Sequence, residues 1–208
     1  MSALSDVTAT DKPVLAVFDF DGTITDRHTF WRYLRFIATP VIFWLSLVPL
    51  APVIAGVLTG RTTLMSARAA FIARFLAGMA VDVEVGHAAS YIAGPLQQWL
   101  RPAAIRRLRW HQARGHRTAL VSNAPENYLV PWGRSVGFDH VCGTRLEISG
   151  QRLTGRVCGE NCVDEEKRRR LEQCIGPLAR HYIYAYGDSE GDRALLHVAD
   201  SPFYRNWY

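Results

Sequence analysis

Lysine is nearly missing from this 208-residue chain: Lys12 and Lys167 are the only two, and the other basic residues are arginine. The formal net charge of +5 fits a protein that handles anionic substrates or anionic membrane surfaces, and the arginine bias accounts for it equally well. There is no basic stripe interleaved with exposed aromatics, which argues against nucleic acid as a partner. The four cysteines (Cys142, Cys158, Cys162 and Cys174) form no C-x-x-C pair and have no histidine pair nearby, so a zinc site is not expected and reduced thiols are. Met1 to Pro13 lacks the basic-then-apolar pattern of a signal peptide, and residues 1–12 are expected as a disordered lead. Internal repeats and low-complexity tracts are also missing. With 49% hydrophobic and 21% charged residues, the length suffices for one globular core with a small inserted subdomain, but not for two full domains.

What is present begins with three short apolar runs. Val14–Phe18 ends on Asp19, Thr118–Val121 ends at Ser122, and Tyr182–Tyr186 ends at Gly187-Asp188. Unbroken runs of this kind predict strands buried on both faces of a parallel sheet. Pro125 suits the first turn of a helix after Ser122, and Asp164 suits the cap of a helix over 165–175. Residues 145–149 and 152–157 alternate around Ser149-Gly150-Gln151 and predict a hairpin. Between the first two strands lies a long helical interval. It has an aromatic segment from Thr29 to Phe36, a 25-residue stretch from Phe36 to Gly60 without one charge, and a polar part from Arg61 to Gly94. A basic helix from Arg101 to Gly115 then returns to the sheet. Ligands of such sheets bind beyond the carboxyl ends of the strands, where Asp19, Ser122 and Asp188 all fall.

Asp19-Phe-Asp21-Gly-Thr23 places two carboxylates two residues apart at a strand end. One can attack a phosphoryl group, and the other can protonate the leaving oxygen and later deprotonate water. Such chemistry on a charged phosphate calls for a cation with oxygen ligands, for which magnesium is suited. Ser122 precedes an expected helix N-terminus, where backbone donors favour an anion. Lys167 falls in the first turn of a helix, where the helix dipole disfavours a cation. It shares an i, i+4 face with Val163, Leu171 and Ile175, whereas Arg168 and Arg169 point elsewhere. A compact ammonium on the apolar face, in a chain that otherwise uses arginine, suggests a geometric demand for lysine.

In this order, D-F-D-G-T, Ser122, Lys167 and the Gly187-Asp-Ser-Glu-Gly-Asp192 run resemble the four signatures of the haloacid dehalogenase superfamily, and specifically its subfamily IB, the phosphoserine-phosphatase-like branch. The resemblance implies an α/β fold with a Rossmann-like parallel sheet core at 13–28 and 95–208 and a helical, partly hydrophobic cap at 29–94. It implies Asp19 as nucleophile, Asp21 as acid and base, and a phosphate site from Thr23, Ser122, Asn123 and Lys167. It further implies magnesium at Asp19, Asp188 and the Asp21 backbone carbonyl, with Asp192 as a further ligand or a partner of the site.

The cap chooses the substrate in this family. Phosphoserine phosphatases carry a glutamate nine residues after the nucleophile; here His28 stands there, preceded by Arg27, and both are candidate substrate contacts. The charge-free stretch makes the chain resemble hydrophobic-cap phosphatidylglycerophosphate phosphatases. The leading expectation is therefore a magnesium-dependent phosphatase of lipid or amphiphilic phosphates, cytoplasmic and peripheral on the inner face of the membrane. A soluble phosphatase of small metabolites such as phosphoserine or histidinol phosphate is the enzyme alternative, and an inactive membrane-associated binding protein the remote one. Two membrane crossings need about 40 apolar residues, more than the stretch contains, so a hairpin bent at Pro49 and Pro52 and dipping into one leaflet is expected. Arg32, Arg35 and Arg61 flank it and are placed to meet headgroups.

Overall fold

The computed structural model describes residues 12–206. The expected disordered lead lies outside them apart from Lys12, as does Trp207 at the end of the chain's aromatic tail.

Five parallel strands form one sheet in the order β3-β2-β1-β6-β7. The central strand β1 (Val14–Phe18) pairs with β2 (Arg117–Pro125) on one side and β6 (Tyr182–Gly187) on the other. Its unbroken apolar run has a direct cause. Ala16 and Phe18 enter one buried cluster and Leu15 and Val17 another, so both faces are covered. Beyond the predicted strands, β3 (His140–Thr144) and β7 (Ser201–Tyr204) complete the edges. Phe203 on β7 stacks on Tyr186 with ring centroids 4.8 Å apart.

Two local expectations are corrected. Strand β2 does not stop at Ser122 but runs on to Pro125 through an irregular register, because Pro125 still pairs with Thr144 of β3. Pro125 is therefore the residue before helix α7 (Glu126–Ser135), not part of its first turn. Asp164 precedes α8 (Glu165–Ile175) but does not cap it with its side chain. A positive φ of 44° turns it away, and its carboxylate accepts the backbone N–H of Ala194 in α9 (Arg193–His197) at 3.2 Å.

The interval between β1 and β2 is helical. Helix α1 (Thr29–Ile37) is followed by α2 (Pro40–Leu47) and α3 (Ala51–Leu58), then α4 (Leu64–Leu76) and α5 (Val81–Ala93). Helices α2 and α3 are bent by 65° across residues 48–50, so the charge-free stretch is an elbow whose break contains Pro49. No single helix among the described residues is long and apolar enough to cross a membrane. Leu50, Leu47 and Ile54 turn inward, whereas Val41, Ile42, Trp44, Leu45 and Val48 are exposed. The β-hairpin of β4 (Leu146–Ser149) and β5 (Arg152–Val157), late in the sequence, packs against α4. Gly155 allows the contact, since a Cβ there would lie 2.7 Å from the Cβ of Ala77.

Helix α6 (Pro102–Ala113) returns to the sheet and buries His111 against Tyr186. Arg107 Nε donates to the Tyr186 oxygen at 2.6 Å, and His111 Nε2 lies 2.9 Å from the same oxygen. His111 Nδ1 and His116 Nδ1 share a hydrogen bond at 2.8 Å, in which one of the two must be an unprotonated acceptor. Burial, reinforced by Arg107, His116 and Arg114, holds the pKa of His111 down at about 2. An unfolded chain takes up a proton here near pH 6.5 and the folded one does not, so this residue's contribution to stability falls as pH drops below that value. The expected slope is up to about 1.4 kcal/mol per pH unit. Urea denaturation between pH 7.5 and 5.5 should show it as a difference, the parent losing stability relative to His111→Gln as pH falls.

Candidate active site

The carboxyl ends of β1, β2 and β6 converge on one cavity of about 390 Å³. Asp19, Asp21, His28, Ser122, Asn123 and Lys167 all line it, with Val163, Ser189 and Gly191. Two candidates, Thr23 and Arg27, stand apart. Thr23 is fully buried with an unpartnered hydroxyl and is not part of the lining, and Arg27 is exposed, 3.6 Å from Asp26.

Lys167 sits where the helix-face argument puts it. Its side chain is 3% exposed, and Nζ donates to Asp19 Oδ1 and Asp192 Oδ1, each at 2.5 Å. Desolvation works against its charge, but the two carboxylates more than offset it and raise its pKa, so the ammonium is retained. Burial pushes Asp19 the other way, up to about 8, with Asp192 adding to the rise and Lys167 opposing it. Asp192 is desolvated too, yet Lys167 and Ser189 hold it below the ordinary carboxylate range.

Asp192 organises the loop after β6. Its Oδ2 accepts the backbone N–H groups of Asp188 and Ser189 at 3.1 and 3.0 Å and the Ser189 hydroxyl at 2.9 Å. Both of its oxygens are thus occupied by protein donors. Asp188 differs: its Oδ1 is buried without a hydrogen-bond partner, and burial followed by Asp192 raises its pKa. Asp19, Asp188 and Asp192 each offer a carboxylate oxygen within 4.8 Å of the others. Hard oxygen donors, one of them unpartnered, fit a hard divalent cation, which would also favour the ionised form of Asp19. Gly22 makes room for this: its φ is +85°, and a Cβ there would lie 2.2 Å from Asp188 Oδ2.

Asp21 is held separately. Its Oδ1 accepts the backbone N–H of Thr29 at 2.9 Å and the Thr29 hydroxyl at 2.6 Å. Burial raises its pKa, and these two hydrogen bonds oppose the rise. Ser122 Oγ accepts the N–H of Ala124 at 3.3 Å, and Asn123 Oδ1 accepts the Thr144 hydroxyl at 2.9 Å, which fixes the loop that faces Asp19.

The cap closes the cavity with Phe30 and Trp31 of α1 and with Leu64, Met65 and Arg68 of α4. None of these stood out as site residues in the sequence. Arg68 had a readable signal, since it shares the i, i+3, i+4 face of Phe71, Ile72 and Leu76, the apolar face of its helix. It is buried, with its guanidinium carbon 3.9 Å from the centre of the Phe30 ring. One terminal nitrogen donates to the Asn123 carbonyl at 2.7 Å, and Nε has no partner.

A parallel α/β sheet with an acidic cluster at its carboxyl edge and a helical cap over it defines a class of hydrolases. The model for haloacid dehalogenase-like hydrolases matches residues 16–197, and the chain belongs to that family. It is 33% identical over 196 residues to Protein CicA of Caulobacter vibrioides, covering 93% of this chain and 86% of that one. A phosphoserine phosphatase of Archaeoglobus fulgidus is 30% identical over 87 residues, 41% of this chain and 25% of that one. Among solved structures, a protein of unknown function from Bordetella pertussis Tohama I superposes with a TM-score of 0.71 at 21% identity, over 92% of this chain and 89% of that chain. A substrate-bound phosphoserine phosphatase does so at 0.60 and 16% identity, over 91% and 84%. The expected family, fold class and phosphatase type agree with these findings.

Two substitutions probe the geometry. Gly22→Ala should displace Asp188 and weaken any divalent-cation binding measured by calorimetry, with turnover falling in step. Lys167→Arg keeps the charge, but the wider, planar guanidinium does not fit between two carboxylates at 2.5 Å. A loss of roughly a hundredfold in kcat is expected from displacing Asp19, and parent-like turnover would refute the demand for lysine.

Proposed function

We propose that this protein is a magnesium-dependent phosphomonoesterase that works through a phospho-aspartate on Asp19 and acts on lipid or amphiphilic phosphates, such as phosphatidylglycerophosphate, at the cytoplasmic face of a membrane. The observation that carries the reading is the composition of one cavity. Its floor holds Asp19, Asp21, Ser122 and Lys167, and its cap wall is largely apolar. Trp31, Leu64 and Met65 both line it and are exposed, so apolar surface runs outward from the mouth.

In the first step an Asp19 carboxylate oxygen attacks phosphorus, the bond from phosphorus to the ester oxygen breaks, and Asp21 gives its proton to the departing alkoxide. In the second, Asp21 takes a proton from water as the water oxygen attacks the phosphorus of the acyl phosphate, releasing inorganic phosphate and restoring Asp19. Ser122, Asn123 and Lys167 hold the phosphoryl oxygens, and Lys167 keeps Asp19 in place. Magnesium at Asp19, Asp188 and the Asp21 carbonyl, with Asp192 behind them, would supply charge neutralisation for the phosphoryl group.

The exposed side chains of α2 and α3 suit one leaflet of a bilayer, with Arg35 and Arg61 near the headgroups. Arg32 instead lies 4.8 Å over the Trp99 ring. A second reading, a soluble small-metabolite phosphatase, draws on Arg68. Its buried, unpartnered Nε is suited to a compact anionic substrate group. The idle binding protein has the least support, because every residue the chemistry requires is present.

Purified protein should release phosphate from a phosphatidylglycerophosphate-type lipid far faster than from phosphoserine or histidinol phosphate. The reverse preference would favour the second reading. Asp19→Asn should abolish turnover with the fold retained, and rapid-quench mass spectrometry should find phosphate on Asp19; phosphate on serine or histidine would end the mechanism. Leu47 and Val53 are half-buried, so cysteine labelling belongs at the exposed Leu45 and Val48. Protection there on adding anionic vesicles is expected, and labelling indifferent to vesicles would remove the membrane from the proposal.

A further inference from the structure

Asp21 does not hang freely in the cavity. Its Oδ1 already accepts two hydrogen bonds, both from Thr29, and its Oδ2 has no hydrogen-bond partner among the described residues. The Thr29 hydroxyl lies 2.9 Å from the Tyr128 hydroxyl. A threonine has one hydroxyl proton, and here it is directed to the carboxylate, so Tyr128 donates to Thr29 Oγ1. Thr29 and Tyr128 are both fully buried. Tyr91 clamps the same residue from another side by donating to the Thr29 carbonyl at 3.1 Å. The three groups form a directed chain, Tyr128 to Thr29 to Asp21, that joins core helix α7 to cap helix α1 and ends on one carboxylate oxygen.

We propose that Thr29 and Tyr128 are positioning residues for Asp21, holding Oδ1 so that Oδ2 alone exchanges the proton with the leaving group. This rests on the reading of Asp21 as acid and base given above. With the two acceptor directions of Oδ1 filled, the proton resides on Oδ2. A carboxyl free to rotate would present the wrong oxygen for part of the time, and acid catalysis depends on hydrogen-bond reach before anything else. The same contacts have a plainer use. Thr29 is the first residue of α1, whose preceding residue His28 makes no side-chain cap bond, so Asp21 also serves as that helix's cap. The test must separate positioning of the acid from support of the helix.

Leaving-group dependence does so. An alkyl phosphate needs its departing oxygen protonated, whereas 2,4-dinitrophenolate leaves unaided, and kcat/KM reports only the first phosphoryl transfer. Thr29→Val removes the hydroxyl and keeps the backbone N–H. It should lower kcat/KM on an alkyl phosphate by roughly tenfold or more, a fraction of the full weight of acid catalysis, and on 2,4-dinitrophenyl phosphate much less. KM should change little, and Thr29→Ser should restore the alkyl rate. Tyr128→Phe should give the same selective loss in weaker form, and it serves if Thr29→Val fails to fold. Asp21→Asn supplies the reference for complete loss of the acid.

An equal fall on both esters in Thr29→Val and Tyr128→Phe, or no fall on either, would overturn the positioning role and leave helix support. If the parent hydrolyses neither ester, the phosphatase reading fails and this inference falls with it. If the parent is active but Asp21→Asn shows no leaving-group selectivity, Asp21 is not the acid and the chain from Tyr128 has another purpose.

Discussion

The ammonium of Lys167, buried between Asp19 and Asp192 at 2.5 Å from each, is the contact around which the rest of the site is arranged. Three aspartates whose oxygens lie within 4.8 Å of one another would repel strongly in a desolvated place. One fixed positive charge makes the cluster tolerable, and breaking such a buried pair costs about 3–5 kcal/mol. It also ties three distant parts of the chain together: the end of β1, the first turn of α8 and the loop after β6. Asp164 adds a second tie between the latter two, since its N–H donates to the Gly191 carbonyl at 2.7 Å. Arg170, a turn beyond Lys167, donates to the carbonyls of Gly143 and Glu160 and anchors α8 over the β3 edge.

The cap is built on a different principle. Where the core encloses charge, the cap collects aromatic and aliphatic side chains: Phe30, Leu34, Phe71, Ile72 and Leu76 cluster with Leu153 of the hairpin. The apolar supply exceeds what this small core can cover, and the surplus is exposed on α2 and α3. Among the described residues of the cap, Arg68 carries a charge into the cavity, shielded by the Phe30 ring. Polar contacts between cap and cavity floor include Arg68 on Asn123 and Thr29 on Asp21.

Much of this was legible in the residues. The three sheet strands were readable because a strand buried on both faces must be apolar throughout. The inward position of Lys167 was readable because a helix face is a fixed periodicity. The same rule applies to Arg68, whose side chain lies on the apolar face of α4. The edge strands β3 and β7 were not legible. His140–Thr144 contains a glycine and β7 is four residues long, so neither forms the long apolar run that marks a central strand.

By itself the sequence determined the sheet centre, the order of the chemical groups and the inward lysine, since each follows from spacing along one strand or one helix. Only the tertiary structure decided which donors reach which oxygens. That Asp164 serves α9, that Asp192 has both oxygens occupied while Asp188 keeps one bare, and that Thr29 and Tyr128 converge on Asp21 are matters of approach between segments up to about a hundred residues apart. No local propensity encodes such an approach. It is set by how the sheet edges, the cap and the α8 helix pack, and hydrogen bonds discriminate among packings at tenths of an ångström.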